Sequence, residues 1–415
     1  MSDFLKVIPI EQALKIIDGH ATPLLSTVNI KTVDSILRTV SSPIKSSSNL
    51  PDFERSTMDG YAVRASDTHG ASQSQPSYLN LVSEIKMGSI PDTQLKVGEA
   101  AKIFTGAMIP ESADAVVMVE YTELIDQSLI EIIKPVSPGE NIIKIAEDIK
   151  EDDLIFDTGH TIRPQDIGGL LALGITKIPV FEAPKIGIIS TGDELIDPEA
   201  QPKKGQVRDI NSYTISSLIQ KHGGEPIIFG ISKDEFEVQL QTAQRALSKC
   251  SIVVISAGSS TSSRDLTSQV ISSLGKPGIL MHGLAHKPGK PSIIGSAKGK
   301  LIFGLPGNPV SAMIIFQLLV KRAINNILCG TQELIAPIKA VLTADIPSIN
   351  GREEHVPVKL FNSQSGTLMA EPVFGKSNLI YTLIRSDGII VVPVSYTHLR
   401  AHETDSYLVC RLLLE

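Results

Sequence analysis

From residue 185 onward one alternation governs the chain. "KIGIIS", "SIVVIS" and "KLIFG" are short continuous apolar runs, separated or followed by helix-period segments such as "SYTISSLIQKHGG", "DLTSQVISSLG" and "VSAMIIFQLLVKRAI". A strand that is apolar at successive positions can leave neither face in water, so it needs a layer on each side. The pattern predicts βαβ units: a parallel sheet between two helical layers, a three-layer αβα domain spanning 183–331.

In open sheets of this kind ligands bind beyond the carboxyl ends of the strands, so the loops that follow them are where chemistry is expected. The first, "TGDEL", puts Glu194 at a strand end, either as a site acid or in a polar turn that caps a helix. In the second, "AGSSTSSRD", small residues including Gly258 and Ser260 let backbone N–H groups approach an anion ahead of a helix, with Asp265 close behind. The third, "LPGNPVSA", contains Pro306, Pro309 and Ser311, a stiff path that suits a preformed anion or pterin cradle as well as a plain helix start.

Two further stretches add charge. "HKPGKP" mounts Lys287 and Lys290 on a rigid turn, where they are either solvated or fixed positive charges for a phosphate. In "GQVRDINSY", Asp209 is equally a helix N-cap or a site acid. Earlier in the chain, "SSSNLPDFERSTMDGYAVRASD" wedges Asp59 between Met58 and Gly60, a common hairpin signal and also a candidate acid. Acids at 59, 194, 209 and 265 beside backbone and lysine donors make sense if a hard cation sits on the carboxylates and bridges to phosphate oxygens. An anionic, phosphorylated substrate follows.

At 415 residues the chain exceeds a single ordinary core. An amphipathic N-terminal helix and the segment "RPQDIGGLLALGITKIPVF" read as a discontinuous platform, 1–48 and 146–182. Short β runs between Gly, Pro and Asp turns make 49–145 an inserted β domain, and 332–394 reads as a C-terminal β-barrel-like domain. The expected class is thus multidomain α/β plus β.

Composition removes several functions. Acidic residues outnumber basic ones by 45 to 38, aromatics are 4% and Trp is absent, which disfavours a basic, stacking nucleic-acid surface. No uninterrupted apolar run reaches the roughly 18 residues a membrane helix needs, and the N-terminus lacks the basic and apolar regions of a signal peptide. Three scattered cysteines without a CxxC pair supply neither a disulfide framework nor a zinc site and fit a reducing cytoplasm.

"PDFERSTMDGYA", "TGAMIP", "STGDEL", "GQVRDIN", "KPGKP" and "GLPGNPVSA", in this order across most of the chain, resemble the molybdopterin molybdenumtransferase family, the MoeA-type molybdenum insertases. The resemblance implies insertion of molybdate into adenylylated molybdopterin with release of AMP and a requirement for Mg²⁺, in a cytoplasmic homodimer. It makes Asp59, Thr105, Glu194, Asp209 and Asp265 catalytic, with the last three as Mg²⁺ ligands. Gly258, Ser260, Lys287, Lys290, Pro306, Pro309, Ser311 and Arg352 become substrate-binding, and Asp59 is expected to reach the sheet cleft of the partner subunit. Molybdopterin adenylyltransferase and apo-molybdoenzymes are the implied partners; nucleic acid and membrane are not.

The sequence departs from the family at two places. Ala257 and Ser262 stand where the second loop usually has glycine, which reshapes the cradle if either backbone needs positive φ. Residues 395–415, "SYTHLRAHETDSYLVCRLLLE", read as foreign to the family, with "YLVCRLLL" imitating its missing last strand. A non-catalytic pterin carrier is the alternative that the altered loop keeps open. An adenylyltransferase is the other, and the extra β domains argue against it.

Overall fold

The computed structural model describes residues 6–257, 261–330, 338–348, 351–394, 398–399 and 408–410, with 261–265, 398–399 and 408–410 described by backbone alone. The chain forms two compact units. One comprises residues 43–157 and 165–177, and the other residues 1–42, 158–164 and 178–415.

The first unit is built on a six-stranded sheet. Its strands are β1 (Gly60–Val63), β2 (Ser77–Glu84), β3 (Glu99–Ile103), β4 (Ala115–Met118), β5 (Thr122–Leu124) and β6 (Leu129–Ile132), in the order β4-β1-β3-β2-β6-β5. The Asp59–Gly60 pair is not a hairpin turn: Gly60 opens β1 and pairs with both Ile103 and Met118. A Cβ there would lie 1.9 Å from the Val117 carbonyl oxygen, so the close approach of two backbones demands glycine. Each face of the sheet has its own core. Tyr61, Val63, Leu79, Val117 and Ile130 fill one, and Ala62, Ile85, Ala101, Ile103 and Val116 fill the other.

In the second unit the helix α1 (Ile10–His20) precedes the predicted α/β alternation. That alternation runs β7 (Lys185–Thr191), α2 (Asn211–Lys221), β8 (Glu225–Ser232), α3 (Phe236–Lys249), β9 (Ile252–Ala257), α4 (Thr261–Ser273), β10 (Pro277–His282), β11 (His286–Lys287), β12 (Ile293–Ala297) and β13 (Lys300–Pro306). The six-stranded sheet has the order β8-β7-β9-β13-β12-β10. The first four strands are parallel, and β12 and β10 are antiparallel additions at one edge.

Both faces are buried, as continuous apolar strands require. Ile186, Ile188, Ile252, Val254, Leu301 and Phe303 point to one side, where Ala13 and Ile17 of α1, Ile215 and Ile219 of α2, and the helical run 309–327 cover them. Ile189, Val253, Ile255 and Ile302 point to the other, against Ala243 and Leu247 of α3 and Val270 and Ile271 of α4. Each large side chain buried this way contributes on the order of 2 kcal/mol.

The run Pro309–Ile327 is long and apolar enough to cross a membrane by composition, with a mean hydropathy of 1.3, although no uninterrupted apolar stretch marks it in the sequence. It is a core helix: Ile315, Phe316, Leu319, Val320 and Ile324 are fully buried against the sheet. Its first seven residues are α5 (Pro309–Ile315).

The same unit carries a second sheet, of β14 (Ile338–Lys339), β15 (Val341–Leu342), β16 (Glu353–Asn362), β17 (Leu368–Pro372), β18 (Gly388–Val392) and β19 (Leu408–Cys410). Strand β11 joins its β16, tying the "HKPGKP" loop to the C-terminal region. Leu408–Cys410 pairs antiparallel with β18 and β14, so part of the atypical tail occupies a strand position in this sheet.

Candidate active site

In the second unit the loop after β11, the turn after β13 and the C-terminal sheet enclose a cavity of about 890 Å³. Its wall holds Lys287, Lys290, Arg352 and Lys376 against one carboxylate, Glu354. Lys287 Nζ lies 2.5 Å from Glu354 Oε1. Lys290 and Arg352 have no carboxylate partner among the described residues, so their charge is left for a ligand. The excess of cations in a confined space makes the cavity a trap for a small dianion.

Backbone stiffness holds these charges in place. Gly289, between the two lysines, has φ +112°, and a Cβ there would meet Ile315 at 2.4 Å, so glycine alone lets the turn lie against α5. Pro306 ends β13 and Pro309 starts α5 at the helical position where a missing N–H costs nothing. Asn308 Nδ2 donates to Ser377 Oγ at 2.8 Å, and Val310 N–H donates to the Ser377 carbonyl at 3.1 Å. These bonds seat the "FGKSN" loop on the "GLPGNP" turn. Ser311 is buried and lines the same cavity.

A second grouping lies at the carboxyl ends of β7 and β8. Glu194 and Asp193 are exposed there, and Asp193 Oδ1 accepts the Asp234 N–H at 3.2 Å. Burial, reinforced by the charges of Asp193 and Glu194, pushes the Asp234 carboxyl above its ordinary value. The three acids repel one another and gather negative charge at these strand ends, but their ligand atoms do not converge into a ready-made ion site among the described residues.

Asp209 is placed differently. Its buried carboxylate accepts the Ser212 N–H at 3.1 Å and the Ser212 hydroxyl at 2.6 Å, capping the first turn of α2. Next to it Asn211 Nδ2 donates to Ser256 Oγ and to the Gly307 carbonyl, both at 2.8 Å, lacing together the ends of β9 and β13. Gly258 and Ser260 lie outside the described residues, and Asp265 is described only by its backbone, in the first turns of α4.

Asp59 and Thr105 belong to the first unit. Asp59 Oδ1 accepts both the N–H and the hydroxyl of Thr105, each at 2.8 Å, and this pair of bonds, the backbone one foremost, holds its carboxyl below the ordinary carboxylate range. Both residues are exposed. An ionised acid with a fixed orientation on a surface is available to a ligand or a partner.

Sequence reasoning passes over Asp234, Asn308, Lys376 and Ser377. Asp234 follows the apolar run "EPIIFGIS", and inspection of every strand end would have found it. "GKSN" likewise follows a strand and carries its own lysine.

Three family descriptions match the chain in succession: the MoeA N-terminal region (domain I and II) over residues 8–174, the molybdopterin binding domain over 187–326, and the MoeA C-terminal region (domain IV) over 339–403. The molybdopterin molybdenumtransferases of Staphylococcus aureus and Bacillus subtilis are each 30% identical to it. The alignments cover 93% of this chain and 91% and 90% of theirs. The chain belongs to the MoeA family. A crystal structure of the MoeA protein of Pyrococcus horikoshii OT3 matches 98% of this chain and all of that one, with a TM-score of 0.82 and 31% identity. Membership places the chain among the transferases of molybdenum cofactor biosynthesis, with the multidomain α/β plus β architecture expected of it.

Proposed function

We propose that this MoeA-family chain inserts molybdate into adenylylated molybdopterin and releases AMP, with the cationic cavity as the oxyanion site. The observation that carries the proposal is the charge of that cavity, four cations against one carboxylate in about 890 Å³. Molybdate and phosphate are tetrahedral oxyanions, and a wall of fixed cations holds either by charge and hydrogen bonding without covalent help.

Each residue then has a task. Lys290 and Arg352, lacking carboxylate partners, bind oxyanion oxygens, while Glu354 keeps Lys287 oriented. Pro306, Gly307 and Asn308 of the rigid turn, with Ser311, line the cavity wall against which the pterin end rests. Asp193, Glu194 and Asp234 gather the negative charge that would draw Mg²⁺ to these strand ends, where it would neutralise charge developing on the phosphate oxygens as the anhydride is cleaved. Asp209 supports the site from behind by capping α2.

We assign Asp59, oriented by Thr105, to the cleft of a second copy in a cytoplasmic homodimer. Molybdopterin adenylyltransferase would supply the substrate and apo-molybdoenzymes would accept the product. The test is AMP release from adenylylated molybdopterin and Mg²⁺, with and without molybdate, in wild-type and Arg352→Ala protein. Molybdate-dependent release is expected, with the variant needing roughly ten- to a hundredfold more molybdate for it. Tight binding of the substrate without release would sink the proposal in favour of a carrier.

A further inference from the structure

Beside the anion cavity lies a side-chain cluster that the transferase reading does not use. Strand β11 pairs in parallel with β16 in the register His286 to Glu353 and Lys287 to Glu354. Because side chains alternate across a strand, Glu353 and His355 share one face with His286, while Glu354 and Lys287 share the other. The second pair is the ion pair of the cavity wall. The first set converges: His286, Glu353 and His355 each bring one ligand atom to within 4.8 Å of the others.

Hydrogen-bond partners decide which nitrogens are available. His286 Nδ1 lies 2.6 Å from the Pro288 carbonyl oxygen, which can only accept, so Nδ1 carries the proton and Nε2 presents its lone pair. That lone pair accepts a hydrogen bond from His355 Nδ1–H at 2.5 Å, and Glu353 Oε1 is 3.7 Å from the same His355 nitrogen, so an ion that takes both nitrogens displaces this one proton as His355 passes to its Nε2–H tautomer. A histidine whose remote N–H is fixed on a backbone carbonyl is the usual arrangement of a metal ligand.

We propose that His286, Glu353 and His355 bind one divalent first-row transition ion, zinc being the first candidate, which fastens the "HKPGKP" loop to β16.

The chemistry of the surroundings agrees with an ion of this class. Two imidazoles and one carboxylate suit zinc and its neighbours rather than Mg²⁺, which prefers oxygen alone. Glu353 has no lysine or arginine partner among the described residues, so its carboxylate is left for the cluster. Ligand atoms of a tetrahedral zinc centre sit about 3.3 Å apart, given bonds of roughly 2.0–2.1 Å, a spacing between the 2.5 Å and 3.7 Å separations found here. Since His286 and His355 also line the cavity, the fourth position is left to water or a cavity anion.

The test uses the full chain, stripped with a chelator, in a Cys329→Ser background because that thiol is exposed. Zinc chloride is titrated calorimetrically, cobalt(II) by its visible absorption, and thermal melts check folding. One ion per chain, an intense tetrahedral cobalt spectrum and a zinc-dependent rise in melting temperature are expected. Glu353→Gln should weaken zinc binding by at least the roughly 10–100-fold that loss of a ligand's outer-shell partner already costs, and His355→Gln should abolish the cobalt spectrum. Failure of the wild-type chain to bind zinc saturably would overturn the proposal. So would unchanged affinity in a folded His355→Gln or Glu353→Gln chain, or displacement of zinc by millimolar Mg²⁺.

Discussion

Asp59 and Thr105 lie 46 residues apart in sequence, yet one carboxylate oxygen accepts both the backbone and side-chain donors of the threonine at 2.8 Å. The bonds stabilise the ionised form and so lower the carboxyl pKa. A carboxyl depressed in the folded state contributes stability that is present above its unfolded pKa and fades as pH falls through its folded value. Thr105→Val removes the hydroxyl bond and leaves the N–H bond. A carboxyl titration followed by NMR should show the Asp59 pKa rising only part of the way to that of an exposed aspartate. An unchanged value would mean that the hydroxyl does not act on Asp59.

Arg352 lines the cavity without a carboxylate partner among the described residues, so Arg352→Ala removes ligand binding without leaving a stranded acid. Loss of a charge-assisted hydrogen bond costs about 1.5–3 kcal/mol, roughly ten- to a hundredfold in the molybdate concentration needed for half-maximal AMP release. The melting temperature should not change. Lys287→Ala should differ, because it strands Glu354, whose Oε2 is already buried without a hydrogen-bond partner. Equal behaviour of the two variants in activity and in thermal melts would contradict these roles.

Two glycines of the first unit should respond oppositely to alanine. At Gly60 the new methyl would collide with the Val117 carbonyl, where backbone cannot yield, so Gly60→Ala should cost at least about 2 kcal/mol. Gly168 is helical and exposed, with no other group within 4 Å of the place a methyl would take, so Gly168→Ala should raise stability by about 0.5–1 kcal/mol. Denaturant midpoints of the two variants measure both signs.

What the sequence made legible follows from the range of each signal. Strands β7, β9 and β13 are visible because burial on both faces writes itself as unbroken apolar runs, and their ends then point to Glu194 and the proline turn, while the "HKPGKP" lysines show as paired charges on a stiff turn. The antiparallel edge of β12 and β10 is invisible, since "PSIIGSA" is apolar whichever way its neighbour runs. Gly60 reads locally as a turn because Asp-Gly has that preference, whereas the structure uses its missing side chain for a backbone contact 57 residues away. The convergence of His286 with His355 depends on a parallel pairing between distant segments, and no local spacing records it.

The acids at the ends of β7 and β8 permit a test in which stability and ion binding move in opposite directions. Burial first, then the charges of Asp193 and Glu194, raise the Asp234 carboxyl pKa. A raised carboxyl favours the folded state below its unfolded pKa and loses that advantage as pH rises through the folded value, so at neutral pH the charged Asp234 is a burden on the fold. Asp234→Asn removes the burden, and the metal-free variant should melt at or above the wild-type temperature at pH 7, the difference vanishing in acid. The same change takes a ligand from the proposed Mg²⁺ group, so the melting shift produced by millimolar Mg²⁺ in wild type should be lost. A variant that melts lower at neutral pH and still answers to Mg²⁺ would show that Asp234 is a structural residue, and that the ion is held elsewhere.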